Sequence, residues 1–568
     1  MSPENIGLVR PILQALANFE TTMRSLLPDP DAQLVSSTGD LTAQVSFNDL
    51  CQIFNRRFQE KPWFIVLCRS KDDIKNTYDT AIANGFEIRI RAGGHDHEGE
   101  CTGTNTILID VSEMNTVEVD HRTKVATIGP GNRFIRLTSA LAKDDVMIAH
   151  GTCATVGISG FIMGGGWGPW TRKHGMCCEW LRGADLVLGD GSTISVDATD
   201  PSVPFTSVPE LLWALRGGGG MSYGLVSELR IQTFDLPKTL IRFDLVWNPY
   251  EPLTSDVPRP DYPTIEVLQA WEDTICSPET GRLIGTNLMI NARPWPANEP
   301  INMNRISHNC KMYGYWEGEQ EELEAFLKEW FASVPGYVAT YDPHHGGSGE
   351  DYGSRLMSNW ARESFNDILE ARYQEGNTTL LTGQQEQLLK EGKPLPPDYD
   401  LPAPHKLTSR LVNQDATENP EYYQALLESL SSPLLFNGNR ELGLFTYVTL
   451  GAIVGDFYIN NPGGGDCAFP YPDKLYTIQY QCWWNTEYEN MADGQNSDVW
   501  NRTNRGMDWI ETAREFDIPN TTGSFISFKD SSIPTEVYFA QNYQRLIEVK
   551  ERHSKDPKNH FRIRKSII

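Results

Sequence analysis

Arg91 to Asn105 reads RAGGHDHEGECTGTN. Paired glycines let a bare backbone come close to whatever the loop faces, because no side chain intervenes. Two imidazoles, His95 and His97, stand two residues apart in the same turn. The residues before the loop form a recognisable unit. Trp63–Cys68 (WFIVLC) is an apolar run suited to a buried strand, and Ser70 followed by Asp73 is a capping signature. Ile74, Tyr78, Ala81 and Ile82 keep helical spacing up to Gly85, and Phe86–Arg91 alternates as a strand. The pattern predicts a βαβ unit that delivers the loop at a strand end. A strand at Ile107–Val111, the hairpin TVEVDHRTKVATIGPG and a helix around Phe134–Ala142 follow.

A second glycine-rich run begins at His150: HGTCATVGISGFIMGGGWGPWTRKHG, with eight glycines between Gly151 and Gly175. Then come a hairpin, ADLVLGDGSTISV, turning at Asp190-Gly191, a short helix LLWALR running into Gly217–Gly220, and a strand YGLVSELRIQTF closed by Pro237. Clustered backbone amides bind anions, phosphates above all, so a nucleotide cofactor is the first expectation. Neither the G-x-G-x-x-G of a Rossmann turn nor a G-x-x-x-x-G-K-[ST] loop occurs. The competing reading takes His95 and His97 as an H-x-H metal pair. A metal needs three or four ligands, and no H-E-x-x-H or C-x-x-C supplies the rest, so no metal site is expected.

The middle third differs. Long alternating strands (IRFDLVW, IGTNLMINARPW, KMYGYW, KLYTIQYQCWW) mix with amphipathic helices such as EQEELEAFLKEWFASV. This predicts an antiparallel sheet backed by helices, an α+β arrangement. The Pro-rich EGKPLPPDYDLPAPHK (391–406) reads as a surface loop, and TEVYFAQNYQRLIEVKERH as a helix near the end. A net charge of −26 over 568 residues argues against nucleic acid or an anionic membrane as partner. No run approaches the ~20 apolar residues of a membrane span, and the N-terminus lacks a secretory pattern. The ten cysteines show no paired spacing, which predicts reduced thiols and a cytoplasmic chain. Asn377, Asn501 and Asn520 head Asn-X-Thr triplets, and a mature secreted form would look the same.

Taken together, the motifs are specific. R-x-G-G-H-x-x-E-G, then G-x-C-x-T-V-G-x-x-G-x-x-x-G-G-G-x-G some sixty residues on, then W-A-L-R-G-G-G, resemble the berberine bridge enzyme-like flavoproteins of the vanillyl-alcohol oxidase superfamily. The tail agrees at Tyr538–Leu546 (YFAQNYQRL) and at Asp556, Pro557, Asn559 and Phe561. The resemblance implies an α+β, two-domain FAD-binding fold of the PCMH type. Residues 1–237 and a return at 510–568 would bind FAD, and 238–509 would form the substrate domain. It implies FAD attached covalently at two points, to His95 and to Cys153. From the first loop Arg91, Ala92, Gly93, Gly94, Asp96 and Gly99 would surround the cofactor. From the second, Val156, Gly157, Ser159, Gly160, Gly164, Gly165, Gly168 and Gly175 would do so, joined by Gly220, Val226 and Asn542.

The chemistry so implied is oxidation of an alcohol, sugar or secondary metabolite by hydride transfer to flavin N5, with reoxidation by O2 to H2O2. Oxidative cyclisation, a dehydrogenase and a flavin-binding pseudoenzyme are the alternatives. Val156, a small residue where the family controls access of oxygen, points to an oxidase. A small-molecule substrate and O2 are the expected partners, and a monomer the expected state. The family's substrate-side tyrosines are absent: the first position is His97, the second His174 in Arg172-Lys-His-Gly175, and the C-terminal pair becomes Phe525 and Phe528. Imidazole titrates near pH 6.5 and takes a proton at neutral pH without a large shift. His97 or His174 is therefore the expected general base, with Asp456 and Tyr480 as the other catalytic candidates. Trp483 and Trp484 are expected at the pocket wall with Tyr480.

Overall fold

The computed structural model describes the chain except for residues 1–2, 39–40, 201–202, 205–206, 249–260, 346–351, 353–355, 358–402, 436–443 and 485–496. The first sheet has four strands in the order Leu34–Ser36, Phe64–Leu67, Ile107–Asp110, Ile88–Arg91. The last three run parallel, and every residue of Phe64–Leu67 and Ile107–Asp110 is buried, as expected of strands covered on both faces. The helix Lys71–Ala83 connects them, capped by Ser70, whose Oγ accepts from the Asp73 amide at 3.1 Å. Ile107–Asp110 inserts between the two strands of the expected βαβ unit.

A second sheet of five antiparallel strands follows, in the order Val117–Asp120, Val125–Ile128, Leu225–Gln232, Leu181–Val187, Thr193–Asp197. The turn joining its last two strands needs φ > 0 at Gly191 (+75°), and Asp190 Oδ1 accepts from the Ser192 amide at 2.9 Å.

The third sheet has eight antiparallel strands: Val338–His345, Thr239–Trp247, Cys310–Glu317, Leu283–Asn291, Leu444–Ala452, Tyr476–Trp484, His405–Val412 and Thr521–Thr522, in spatial order. Helices Thr264–Cys276, Gln320–Trp330, Pro420–Ser429 and Ser497–Glu515 share a core with one face. Side chains alternate between faces along a strand. Ile241, Phe243, Met312, Leu288, Val448, Tyr480 and Trp484 therefore join the helices. Their neighbours Arg242, Asp244, Tyr313, Asn287, Thr449, Gln479 and Trp483 turn to the opposite face and line a cavity.

Two expectations change here. The boundary at 510 cuts through the helix Ser497–Glu515, whose Trp509, Ile510 and Ala513 pack in the eight-stranded sheet's core, and that sheet extends to Thr521–Thr522. The single helix expected over 535–553 is two, Thr535–Phe539 and Tyr543–His553, because Ala540 takes φ +43°. Most of the Pro-rich stretch, with Asn377, lies outside the described residues.

Candidate active site

Where the three sheets meet there is a cavity of about 460 Å³. The loop after Ile88–Arg91 and the run Gly151–Gly164 form one wall, and the open face of the eight-stranded sheet forms the other. The two loops are locked together. A Cβ on Gly93 would sit 2.4 Å from the Gly157 nitrogen, so their backbones are in contact. A Cβ on Gly160 would meet nothing within 4 Å, so the backbone there borders open space in the cavity.

His95 and Cys153 both line this cavity. The His95 ring stacks on Phe54 with centroids 3.8 Å apart, and its Nε2 lies 2.8 Å from Thr155 Oγ1. Burial holds its pKa well below the usual 6.5, so the ring is neutral. Cys153 Sγ sits 3.6 Å from Thr152 Oγ1. A neutral imidazole and a thiol on one backbone-lined cavity are a donor set suited to two covalent bonds with one electrophilic ring. Asp96 and Glu100 hold the Lys529 ammonium at 2.7 and 2.8 Å at the same wall.

His97 also lines the cavity, and its Nδ1 lies 2.8 Å from His405 Nε2. Burial lowers its pKa to about 4; the Asp96 carboxylate opposes the shift, while Lys529 and Arg57 reinforce it. On the sheet wall, the side-chain amides of Asn287 and Gln479 have no hydrogen-bond partner among the described residues. Gln481 accepts from Trp483 Nε1 at 2.9 Å and donates to Thr449 Oγ1 at 2.9 Å. Lys311 and Arg242 flank Asp244 at 3.7 and 3.9 Å, and the Arg242 guanidinium lies 5.3 Å from the centre of the Tyr313 ring.

The other three catalytic candidates lie elsewhere. His174 stacks on Phe234 with centroids 3.7 Å apart, outside the cavity lining. Asp456 begins the helix Asp456–Asn460 with its carboxylate beside Gly281 and does not line the cavity. Tyr480 and Trp484 point into the helix-backed core, where the Tyr480 hydroxyl pairs with Ser429 Oγ at 2.6 Å. Of the three aromatics expected on that strand, Trp483 alone lines the cavity.

Of the residues assigned to the cofactor, Ala92, Gly93, Gly94, Asp96, Val156, Gly157, Ser159, Gly160, Gly164, Gly220 and Val226 line the cavity with His95 and Cys153. Six others do not. Arg91 is beneath the loop, its Nε donating to Asp110 at 2.7 Å. Gly99, Gly165 and Gly175 have positive φ and face aromatic rings: Phe58, Phe525 and Phe457. Gly168 packs on the His150 carbonyl, and Asn542 Nδ2 donates to the Ala468 carbonyl at 3.1 Å. The sequence reading missed Phe54, Thr155 and His405. It also missed the sheet's polar face, although alternation in KMYGYW already sets Lys311 and Tyr313 side by side.

Comparison with known proteins agrees with this geometry. A family model described as FAD binding domain matches residues 62–197, and one described as Berberine and berberine like matches residues 524–568. Glucooligosaccharide oxidase of Sarocladium strictum is 30% identical over 291 residues, 50% of this chain; the match spans about half that protein's length, 54%. The solved berberine bridge enzyme from Eschscholzia californica has TM-score 0.68 and 20% identity, covering 98% of each chain. A solved glucooligosaccharide oxidase from Acremonium strictum, with a 6-S-cysteinyl, 8α-N1-histidyl FAD, has TM-score 0.67 and 20% identity, covering 96% of this chain and 99% of that one. The chain thus carries an FAD-binding region over residues 62–197 and a berberine-like region over residues 524–568, shares the fold of the solved berberine bridge enzyme, and has FAD as its cofactor. No helix among the described residues is long and apolar enough to cross a membrane.

Proposed function

We propose that this chain is an FAD-linked oxidase that carries its flavin on His95 and Cys153 and oxidises a hydroxyl-rich small molecule. The observation that carries the reading is the position of those two nucleophiles on a single cavity, opposite a polar sheet face. Bound there, the flavin supplies a hydride acceptor at N5 that O2 reoxidises with release of H2O2. The protein's own work is positioning and proton transfer. Phe54 and Thr155 fix the His95 ring, and Gly160 leaves room that any side chain would fill. Asn287 and Gln479 offer free amides to substrate hydroxyls, and Trp483 offers an apolar wall. His97, neutral and facing the cavity, takes the proton from the hydroxyl being oxidised.

The free amides favour a sugar-like substrate over an apolar polycyclic one, and the relatives named above include a glucooligosaccharide oxidase. Val156 lines the cavity between the cysteine and Gly157, where a small side chain leaves oxygen a path. A peroxide-release screen of oligosaccharides beside polycyclic alcohols tests the substrate class. Turnover of the polycyclic set alone would reverse it. Mixing reduced protein with oxygen tests the acceptor: reoxidation within seconds fits an oxidase, and reoxidation over minutes a dehydrogenase.

A further inference from the structure

His97 and His405 are 308 residues apart, yet Asn55, fully buried, brackets them. Its Nδ2 donates to the His97 carbonyl at 2.6 Å and to the His405 carbonyl at 3.1 Å, while its Oδ1 accepts from the His405 amide at 3.1 Å. The surrounding backbone closes the bracket: the Phe54 amide donates to the Gly94 carbonyl at 2.9 Å, and the Ala403 amide to the Phe54 carbonyl at 3.1 Å. His405 opens the strand His405–Val412 opposite Trp483 and stacks on that indole, with centroids 4.0 Å apart.

The hydrogen bonds determine where the protons are. His405 Nδ1 lies 2.9 Å from the Ala403 carbonyl, which only accepts, so Nδ1 carries the proton. Neutral His405 then has its lone pair on Nε2. At 2.8 Å from that lone pair, His97 Nδ1 must be the donor. A neutral His97 protonated at Nδ1 keeps its lone pair on Nε2, which makes no hydrogen bond among the described residues. Neutrality follows from burial of both rings. The charged groups facing His97 are Asp96, Lys529 and Arg57, with His95 and His405 as neutral neighbours.

We propose that His405 is a positioning residue: by accepting the His97 Nδ1–H it fixes His97 as the Nδ1–H tautomer, with the basic Nε2 directed to the substrate. The inference rests on the reading of His97 as the base. In the step it serves, the substrate hydroxyl proton moves to His97 Nε2. The imidazolium so formed donates its Nδ1–H to His405, which spreads the charge over both rings. This offsets the weak basicity that burial imposes on His97. Without an acceptor at 405, a free imidazole reverts to its preferred Nε2–H form and turns a proton, not a lone pair, to the substrate.

The test has a readout independent of turnover. Ring-nitrogen NMR of the full-length, flavin-loaded protein labelled with 15N-histidine, assigned with His97→Gln and His405→Gln, should show both rings as Nδ1–H tautomers. In His405→Phe, which keeps an aromatic ring on Trp483 but accepts no hydrogen bond, His97 should convert to Nε2–H. Flavin reduction at saturating substrate should then fall roughly tenfold or more, with KM unchanged and covalent flavin retained. His405→Gln, which still accepts, should recover most of the rate. His97→Gln/His405→Phe should be no slower than His97→Gln alone. An Nε2–H His97 in the wild type, or one that stays Nδ1–H in His405→Phe, overturns the proposal. Wild-type rates in His97→Gln would instead overturn the base assignment, and the tautomer spectra separate the two failures.

Discussion

The backbones of Gly93 and Gly157 are in direct contact: a Cβ on Gly157 would lie 2.6 Å from the Gly93 nitrogen, and one on Gly93 would lie 2.4 Å from the Gly157 nitrogen. Through that contact the His95 loop and the Cys153 loop present their side chains to one cavity. Gly93→Ala and Gly157→Ala should therefore part the loops and abolish double attachment of flavin. Gly160→Ala has free space for its methyl group, so its fold should survive while the added carbon crowds the cofactor. Flavin absorbance per chain and a thermal melt distinguish the cases: Gly160→Ala should keep its melting temperature before reconstitution, and the other two should not.

His97 sets the second expectation. Its base form is the neutral one, and burial lowers its pKa to about 4. The rate of flavin reduction should be flat through neutrality and fall as pH drops through about 4, well below the 6.5 expected of an unperturbed imidazole. His97→Gln should lower the plateau by about 10²–10⁴ and remove that limb, with covalent flavin unchanged. Stopped-flow reduction across pH reads both effects.

The candidates outside the cavity give a control. Tyr480→Phe should cost about 1 kcal/mol of stability through the lost Ser429 hydrogen bond and leave flavin reduction unchanged. His174→Gln should likewise leave reduction unchanged, since that ring stacks on Phe234. Slow reduction in either variant would return that residue to the list of bases.

How much of this was legible in sequence depends on the range of the interaction. The Gly93–His95 and Cys153–Gly157 motifs are local, and they located one wall of the cavity. The absence of tyrosine at His97 was equally plain. The His405 partner was not, because nothing local marks a contact between residues 308 positions apart. Strand alternation in Tyr476–Trp484 defined two faces but not which one met the cavity, since every residue of that strand is buried and aromatics occur on both sides. Composition also does not separate a ligand-facing glycine such as Gly160 from a packing glycine such as Gly168, whose Cβ would overlap the His150 carbonyl.

Buried histidines predict an acid limit to stability. His308 has both ring nitrogens bonded, Nδ1 to Thr264 Oγ1 at 2.7 Å and Nε2 to Ser431 Oγ at 3.2 Å, and burial lowers its pKa to about 3. The unfolded chain, with His near 6.5, binds the proton first as pH falls. The contribution is therefore intact above 6.5 and is lost between 6.5 and about 3, reaching on the order of 3 kcal/mol near pH 4. Urea unfolding at pH 7 and pH 4.5 should show a smaller pH-dependent loss in His308→Gln than in the wild type, even if the variant is less stable at pH 7. Equal losses would assign the acid sensitivity to other groups.

His95 and Cys153 are proposed to hold one flavin between them. Acid-precipitated, proteolysed protein should stay yellow, and mass spectrometry should find His95 and Cys153 cross-linked through a single flavin. In Cys153→Ala the flavin should remain on the His95 peptide alone, and in His95→Ala on the Cys153 peptide alone. Complete release of free FAD from the wild type on acid treatment would contradict the account.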